Sequence, residues 1–330
     1  MPRTIVWDPP RTPFTLSHVA PLGVTRNAVR SAVASGRVVA LVRGVFIAAD
    51  AVAGDPAGLH VQRAMAQQLR RPTAIASHRT AALAWGLALD DPGAAAADAS
   101  SFIVPGRPDV RSLSGKGFVV AVRDLPAEHR VAHPSGLLVT SMARTAVDVA
   151  AVEPSLPAAL VVVDAAARQF LFDAVGERRA RAHYTRPQSL AAAMSPIRAA
   201  AQHAATQFTR QRLRQVVDLA DPRRESPLES FSFGQMVLHG LPLPQLQVRI
   251  RTPEGDMYPD FLWEEAMVIG EADGMGKYRT PEDLRAEKWR QEVLEQLGYR
   301  FVRWGDRDIR RSPAAVLGRL AAAVDARTRA

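Results

Sequence analysis

The sequence predicts an α/β (α+β) chain built of several modules, and three observations carry that expectation. Segments with apolar residues at helical spacing alternate with short β-branched apolar runs, the pattern of mixed α/β architecture. The 330 residues correspond to two or three domains at roughly 150 residues each. A composition of 47% apolar and 23% charged residues supplies material for more than one core.

Several function classes fall away at once. The chain has no cysteine, which excludes a disulfide framework, a thiol nucleophile and cysteine-ligated zinc or iron–sulfur clusters. None of the eight histidines stands at metal-ligand spacing such as HExxH, and neither a GxxxxGK[ST] loop nor a GxSxG elbow occurs. Residues 1–12 carry prolines and charges rather than the apolar core of a signal peptide. The most apolar run, residues 156–167, is interrupted by Asp164 and is too short to span a bilayer. The expectation is a cytoplasmic protein with no membrane partner.

Net charge is +9, and it is unevenly spread. Residues 1–50 hold six Arg against two acids and residues 165–220 nine Arg against three, whereas residues 221–330 hold 17 Lys and Arg against 18 acids. A polyanion such as DNA would be held mainly by the two basic segments, through phosphate neutralisation. A solvated arginine-rich surface explains part of the same balance.

Taken in order, residues 1–50 form the first module, with a winged-helix pattern from residue 14. A short helix is expected over residues 14–19, and Thr25 is placed to cap a second helix with apolar Ala28, Val29, Ala32 and Val33 that stops at Gly36. A tight hairpin around Arg43-Gly44 suits a wing. Arg26, Arg30, Arg37 and Arg43 are the candidate nucleic-acid contacts, because in such modules the second helix enters the major groove and nearby basic residues hold phosphate. A packing module without nucleic acid uses the same pattern. The stretch Val24-Thr25-Arg26 … Gly36-Arg37 … Val42-Arg43-Gly44-Val45-Phe46 resembles the N-terminal domain of AbiEi-type antitoxins.

Residues 51–155 read as a mixed α/β region. Residues 60–69 and 77–85 have helical spacing, residues 102–104 and 117–122 strand character, and the Ala- and Asp-rich residues 90–101 suggest a flexible loop. A strand at residues 137–139 enters a helix carrying Arg144 and Asp148 at i, i+4, where a surface ion pair is expected. This segment recurs in the same antitoxin-like proteins. Residues 156–221 read as an arginine-rich helical connector with a basic face.

Residues 222–330 change character. Ser226-Pro227-Leu228-Glu229 is a capping box, with Ser as cap, Pro at the first helical position and Glu229 three residues on. Two apolar segments then flank Glu264-Glu265, which reads as a hairpin turn. If Trp263 pairs with Val268, the register brings Asp260 opposite Glu271, and alternation puts Asp273 on the face of Glu271. Three gathered carboxylates repel unless a cation neutralises them, and hard oxygen donors suit Mg²⁺ or Mn²⁺. Carboxylates at strand ends are nonetheless common, and Asp273-Gly274 is also an ordinary turn pair.

The order of helix, three strands, helix, strand and helix, with Pro259-Asp260-Phe261, Glu271-Ala272-Asp273-Gly274, Lys277-Tyr278 and Leu297-Gly298-Tyr299-Arg300-Phe301-Val302-Arg303, resembles the core of PD-(D/E)XK nucleases and their Vsr-like branch. The resemblance implies a restriction-endonuclease-like α/β domain with a central mixed sheet. It also implies a metal held by Asp260 and Glu271, with Glu229 adding a ligand or orienting a water. The family's lysine two residues after the Glu is here Asp273, an extra carboxylate for the metal set. Lys277 is the first choice to replace that lysine, ahead of Lys288 and Arg290. The resulting expectation is a metal-dependent endonuclease that hydrolyses nucleic-acid phosphodiesters, DNA first among them, and a homodimer is compatible with it. The alternative is a non-catalytic DNA-binding regulator of antitoxin type on a degenerate nuclease fold.

Overall fold

The computed structural model describes residues 7–106, 113–204, 210–273 and 281–328. Contacts divide the chain into two units, Met1–Val149 and Ala150–Ala330. Both mix helices with sheets. Among the described residues no helix is long and apolar enough to cross a membrane.

The first unit opens with β1 (Phe14–Thr15), α1 (Leu16–Val19), α2 (Arg26–Ala34), β2 (Val38–Val42) and β3 (Val45–Ala48), the strands ordered β1-β3-β2. Residues 14–19 are therefore not one helix, because Phe14 pairs with Phe46 across the small sheet before a single helical turn follows. Thr25 caps α2 as expected, accepting from the Ala28 amide at 3.2 Å, and Gly44 takes φ 78° in the hairpin turn. Val29 and Ala32 are buried, whereas Val33, expected on the same stripe, is 38% exposed.

Further along lie α3 (Pro56–Leu69), β4 (Ile75–Ala76), α4 (His78–Trp85), α5 (Pro92–Ala97), β5 (Ser100–Pro105), β6 (Leu113–Gly115), β7 (Phe118–Arg123), β8 (Arg130–Ala132), β9 (Leu138–Thr140) and α6 (Met142–Val152). Their six strands form one mixed sheet in the order β6-β7-β5-β4-β9-β8. Residues 90–101 are not a loop. Asp91 caps α5 through the Ala94 amide at 2.8 Å, Pro92 occupies its first turn, and β5 begins at Ser100. The Arg144–Asp148 pair is likewise not on the surface: it closes at 2.8 Å with both side chains buried.

The second unit holds α7 (Leu156–Val175), α8 (Pro187–Ala204), α9 (Arg210–Leu219), α10 (Pro227–Leu238), β10 (Gln245–Leu246), β11 (Ile250–Thr252), β12 (Gly255–Met257), β13 (Phe261–Trp263), β14 (Val268–Asp273), α11 (Pro281–Gln296), β15 (Arg300–Gly305), α12 (Asp306–Arg311) and α13 (Pro313–Thr328). The apolar run at residues 156–167 becomes the buried first half of α7, which packs along α10. Gly234 permits that approach, since a Cβ there would sit 2.5 Å from Pro157 Cα.

Strands β10, β13, β14 and β15 form a four-stranded sheet in that order, antiparallel except for the parallel β14–β15 pair. Strands β11 and β12 make a separate antiparallel ribbon. Trp263 pairs with Val268 and Phe261 with Gly270, so the expected hairpin register is the observed one. Residue 270 is tight: a Cβ there would meet the Trp263 and Trp304 rings at 3.0 Å and require them to shift by a few tenths of an ångström. Trp304 stacks on Phe261 and donates its indole N–H to Ser232 on α10, tying that helix to the sheet.

Candidate functional site

Three elements of the second unit bring acids to one cleft. Glu229 comes from the first turn of α10, Asp260 immediately precedes β13, and Glu271 lies within β14. All three line a cleft of about 560 Å³, together with Arg181, Tyr258 and Arg290. The hairpin register supplies the reason: one step beyond the Phe261–Gly270 pair, Asp260 falls opposite Glu271. Asp260 Oδ2 accepts the Ala272 amide at 3.0 Å, which fixes the carboxylate against the neighbouring strand.

Each acid is deeply buried. Glu271 is 2% exposed and accepts from Arg290 Nη2 of α11 at 2.9 Å. Glu229 retains the capping role its sequence context predicts, accepting the Glu225 amide at 2.7 Å and the Ser226 hydroxyl at 2.8 Å. Burial, and after it the nearby Asp260 charge, push the Glu229 carboxyl up to about 8 despite those two bonds. At the rim, burial pushes Glu225 upward too, but hydrogen bonds from Arg181 and Tyr184 prevail and hold it below its ordinary value.

Gln247 lies between the Glu229 and Asp260 carboxyls. It is 4% exposed, and its Nε2 donates at 3.3 Å both to Glu229 Oε2 and to Asp260 Oδ1. Its Oε1 is buried with no hydrogen-bond partner, and its backbone takes φ 49°. A left-handed conformation in a residue with a Cβ costs on the order of 1–3 kcal/mol. Sequence reasoning missed this residue, because a glutamine following a short strand gives no signal of strain or of a carboxylate bridge.

The predicted residues separate accordingly. Asp260 and Glu271 share the cleft with Glu229. Asp273 does not line it; its carboxylate accepts from Arg303 Nη1 at 3.2 Å. The trio expected at the strand end is thus replaced by one that draws its third acid from α10. A strand's alternation places Cβ atoms, but the arginine on β15 decides where the last carboxylate goes. Among the described residues no group of three or more His, Cys, Asp or Glu side chains is set closely enough to hold a metal ion.

Lys277, the first choice for the missing lysine, lies outside the described residues. Lys288 is 79% exposed and stands 3.9 Å from Glu292, so of the two described candidates for the missing lysine it is Arg290 that reaches the acids. In the first unit Arg26, Arg30, Arg37 and Arg43 are all exposed. Arg26 and Arg30 border a 370 Å³ groove floored by Val29 and Phe46, and Arg37 donates to the Trp7 carbonyl at 3.4 Å.

No family model matches the chain. Over 225 residues it is 31% identical to two uncharacterized proteins of Mycobacterium tuberculosis, Rv2248 of strain ATCC 25618 / H37Rv and MT2308 of strain CDC 1551 / Oshkosh. The alignment spans 66% of this chain and 72% of each of those proteins. The chain belongs to the family that these proteins represent.

Proposed function

We propose that this member of that family is a divalent-metal-dependent endonuclease that hydrolyses nucleic-acid phosphodiesters, with DNA as the substrate, and that its reaction centre is the cleft of Glu229, Asp260 and Glu271. The observation that carries this reading is the burial of three carboxyls from α10, the β13 approach and β14 around one cleft. Burying carboxyls this deeply is expensive, and proteins retain such groups where a cation or a reaction uses them. Strand order, parallel β14–β15 pairing and the flanking helices support the resemblance to the Vsr-like branch of PD-(D/E)XK nucleases.

In donor chemistry, though not in their present spacing, these acids suit Mg²⁺ or Mn²⁺: they offer hard oxygen ligands, with about four acceptor sites on each ionised carboxylate. Asp260, Glu271 and Glu229 are the residues that would hold the ion. When bound there, it would supply Lewis-acid stabilisation of phosphoryl charge and a more acidic water. The protein's own groups do the rest. Arg290 brings a guanidinium, whose planar fork suits a non-bridging phosphate pair, to Glu271 in the cleft. The amide of Ala272 holds Asp260 in place, and the Glu225 amide and Ser226 hydroxyl hold Glu229. Exposed Arg26, Arg30, Arg37 and Arg43 support a DNA-targeting winged helix of AbiEi-antitoxin type in the first unit.

A second reading keeps the same fold as a non-catalytic DNA-binding regulator. Two features favour it: Asp273 where a lysine would stand, and the direct Arg290–Glu271 pair that already neutralises one acid. Supercoiled plasmid incubated with the full chain and Mg²⁺ or Mn²⁺ separates the two. The endonuclease reading expects nicking that Asp260→Ala lowers by at least about a hundredfold. A gel shift by the wild-type chain without nicking under either metal favours the regulator and sinks the enzyme.

A further inference from the structure

We propose that Gln247 is a neutral oxygen ligand of the divalent-cation site, its carboxamide joining Glu229 and Asp260 through Nε2 and turning its Oε1 inward when a cation enters. The inference rests on the metal reading of the cleft and deepens it. Three independent features of one residue lead there. Nε2 bridges carboxyls from two different elements at 3.3 Å each. Oε1 is buried and unpartnered. The backbone is held at φ 49°, where a residue with a Cβ is seldom found unless its surroundings require it.

A structural glutamine would not be arranged this way. A buried carboxamide that serves only packing satisfies both of its ends, because a half-satisfied polar group is worse than an apolar one. A lysine or arginine at residue 247 would neutralise the two carboxyls and close the site to an ion. Glutamine does neither. Its two N–H groups give the paired acids a donor without adding charge, and the opposite end of the same planar group is a hard oxygen. Half a turn about the last side-chain bond exchanges the two ends within the same volume. The amide can therefore answer both states of the site, donating to carboxylates in one and accepting a cation in the other.

The test is Mn²⁺ binding to the full chain, by isothermal titration and by the loss of the free Mn²⁺ electron paramagnetic resonance signal, on wild type, Gln247→Leu and Gln247→Glu. Circular dichroism and melting in EDTA establish that each variant is folded. Wild type binds Mn²⁺. Gln247→Leu, which fills the space without a donor, weakens binding by about ten- to a hundredfold. Gln247→Glu, which keeps the oxygen, binds at least as tightly as wild type and separates the loss of a ligand from a loss of packing if the leucine variant fails to fold. Unchanged affinity in Gln247→Leu, or lost affinity in Gln247→Glu, overturns the proposal while leaving the metal reading intact. A wild-type chain that binds no Mn²⁺ overturns both.

Discussion

Two buried acidic sites in the second unit solve the same problem in opposite ways. Asp164, on α7, faces Arg224, and both side chains are 1% exposed. Arg224 donates to both carboxylate oxygens at 2.6 and 2.8 Å, the Asp221 amide adds a third bond at 2.8 Å, and the guanidinium lies 4.2 Å over the Phe233 ring. Charge is cancelled where it arises, and the pair joins α7 to the approach of α10. Glu229 and Asp260 are also buried, but the group between them is the neutral Gln247. The first arrangement meets both oxygens of its carboxylate with a cation, although Arg224 Nη1 is left without a hydrogen-bond partner. The second sets two buried carboxyls around an uncharged amide, and burial beside Asp260 pushes Glu229 toward its protonated form.

That contrast can be broken, and the largest effect belongs to the cancelled pair. Arg224→Met leaves Asp164 buried without its counter-ion and is expected to destabilise the chain by about 3–5 kcal/mol. Chemical denaturation checks this, and Asp164→Leu combined with Arg224→Met should recover most of the loss. The cleft predicts the reverse. In EDTA, Glu229→Gln removes a buried, repelled acid and should leave the melting temperature unchanged or raise it, where an ordinary capping acid would lower it.

The pH dependence sharpens the same point. Glu229 is raised from an ordinary 4.5 to about 8, so the folded chain favours its protonated form. Its stabilising contribution is full below pH 4.5 and is lost as pH rises through 8. The melting temperature of metal-free protein should therefore fall across that window, and the fall should flatten in Glu229→Gln. The smallest effect lies outside both sites. Lys288→Ala breaks an exposed 3.9 Å pair and should change stability by less than about 0.5 kcal/mol in the same denaturation experiment.

Much of the local structure was legible because short-range chemistry dictates it. Thr25 caps α2, Ser226-Pro227 starts α10, and the apolar stretches around Glu264-Glu265 pair in the register their lengths impose. Asp91-Pro92 carried the same helix-start chemistry as Ser226-Pro227, yet the alanines and aspartates around it suggested a loop. Burial was harder to read. Arg144 and Asp148 sit at a spacing that is ordinary on an exposed helix face, and only packing of the first unit's sheet and helices places them inside.

The sequence by itself determined most element types, the hairpin register and the juxtaposition of Asp260 with Glu271, because these follow from side-chain periodicity and turn chemistry between neighbours in the chain. Only the tertiary structure decided which third acid joins them. Asp273 is drawn to Arg303, Glu229 arrives from a helix 31 residues before Asp260, and Gln247 spans the gap in a strained backbone. Those choices depend on charges and shapes that meet across separate elements, and no local pattern in the chain encodes where separate elements meet.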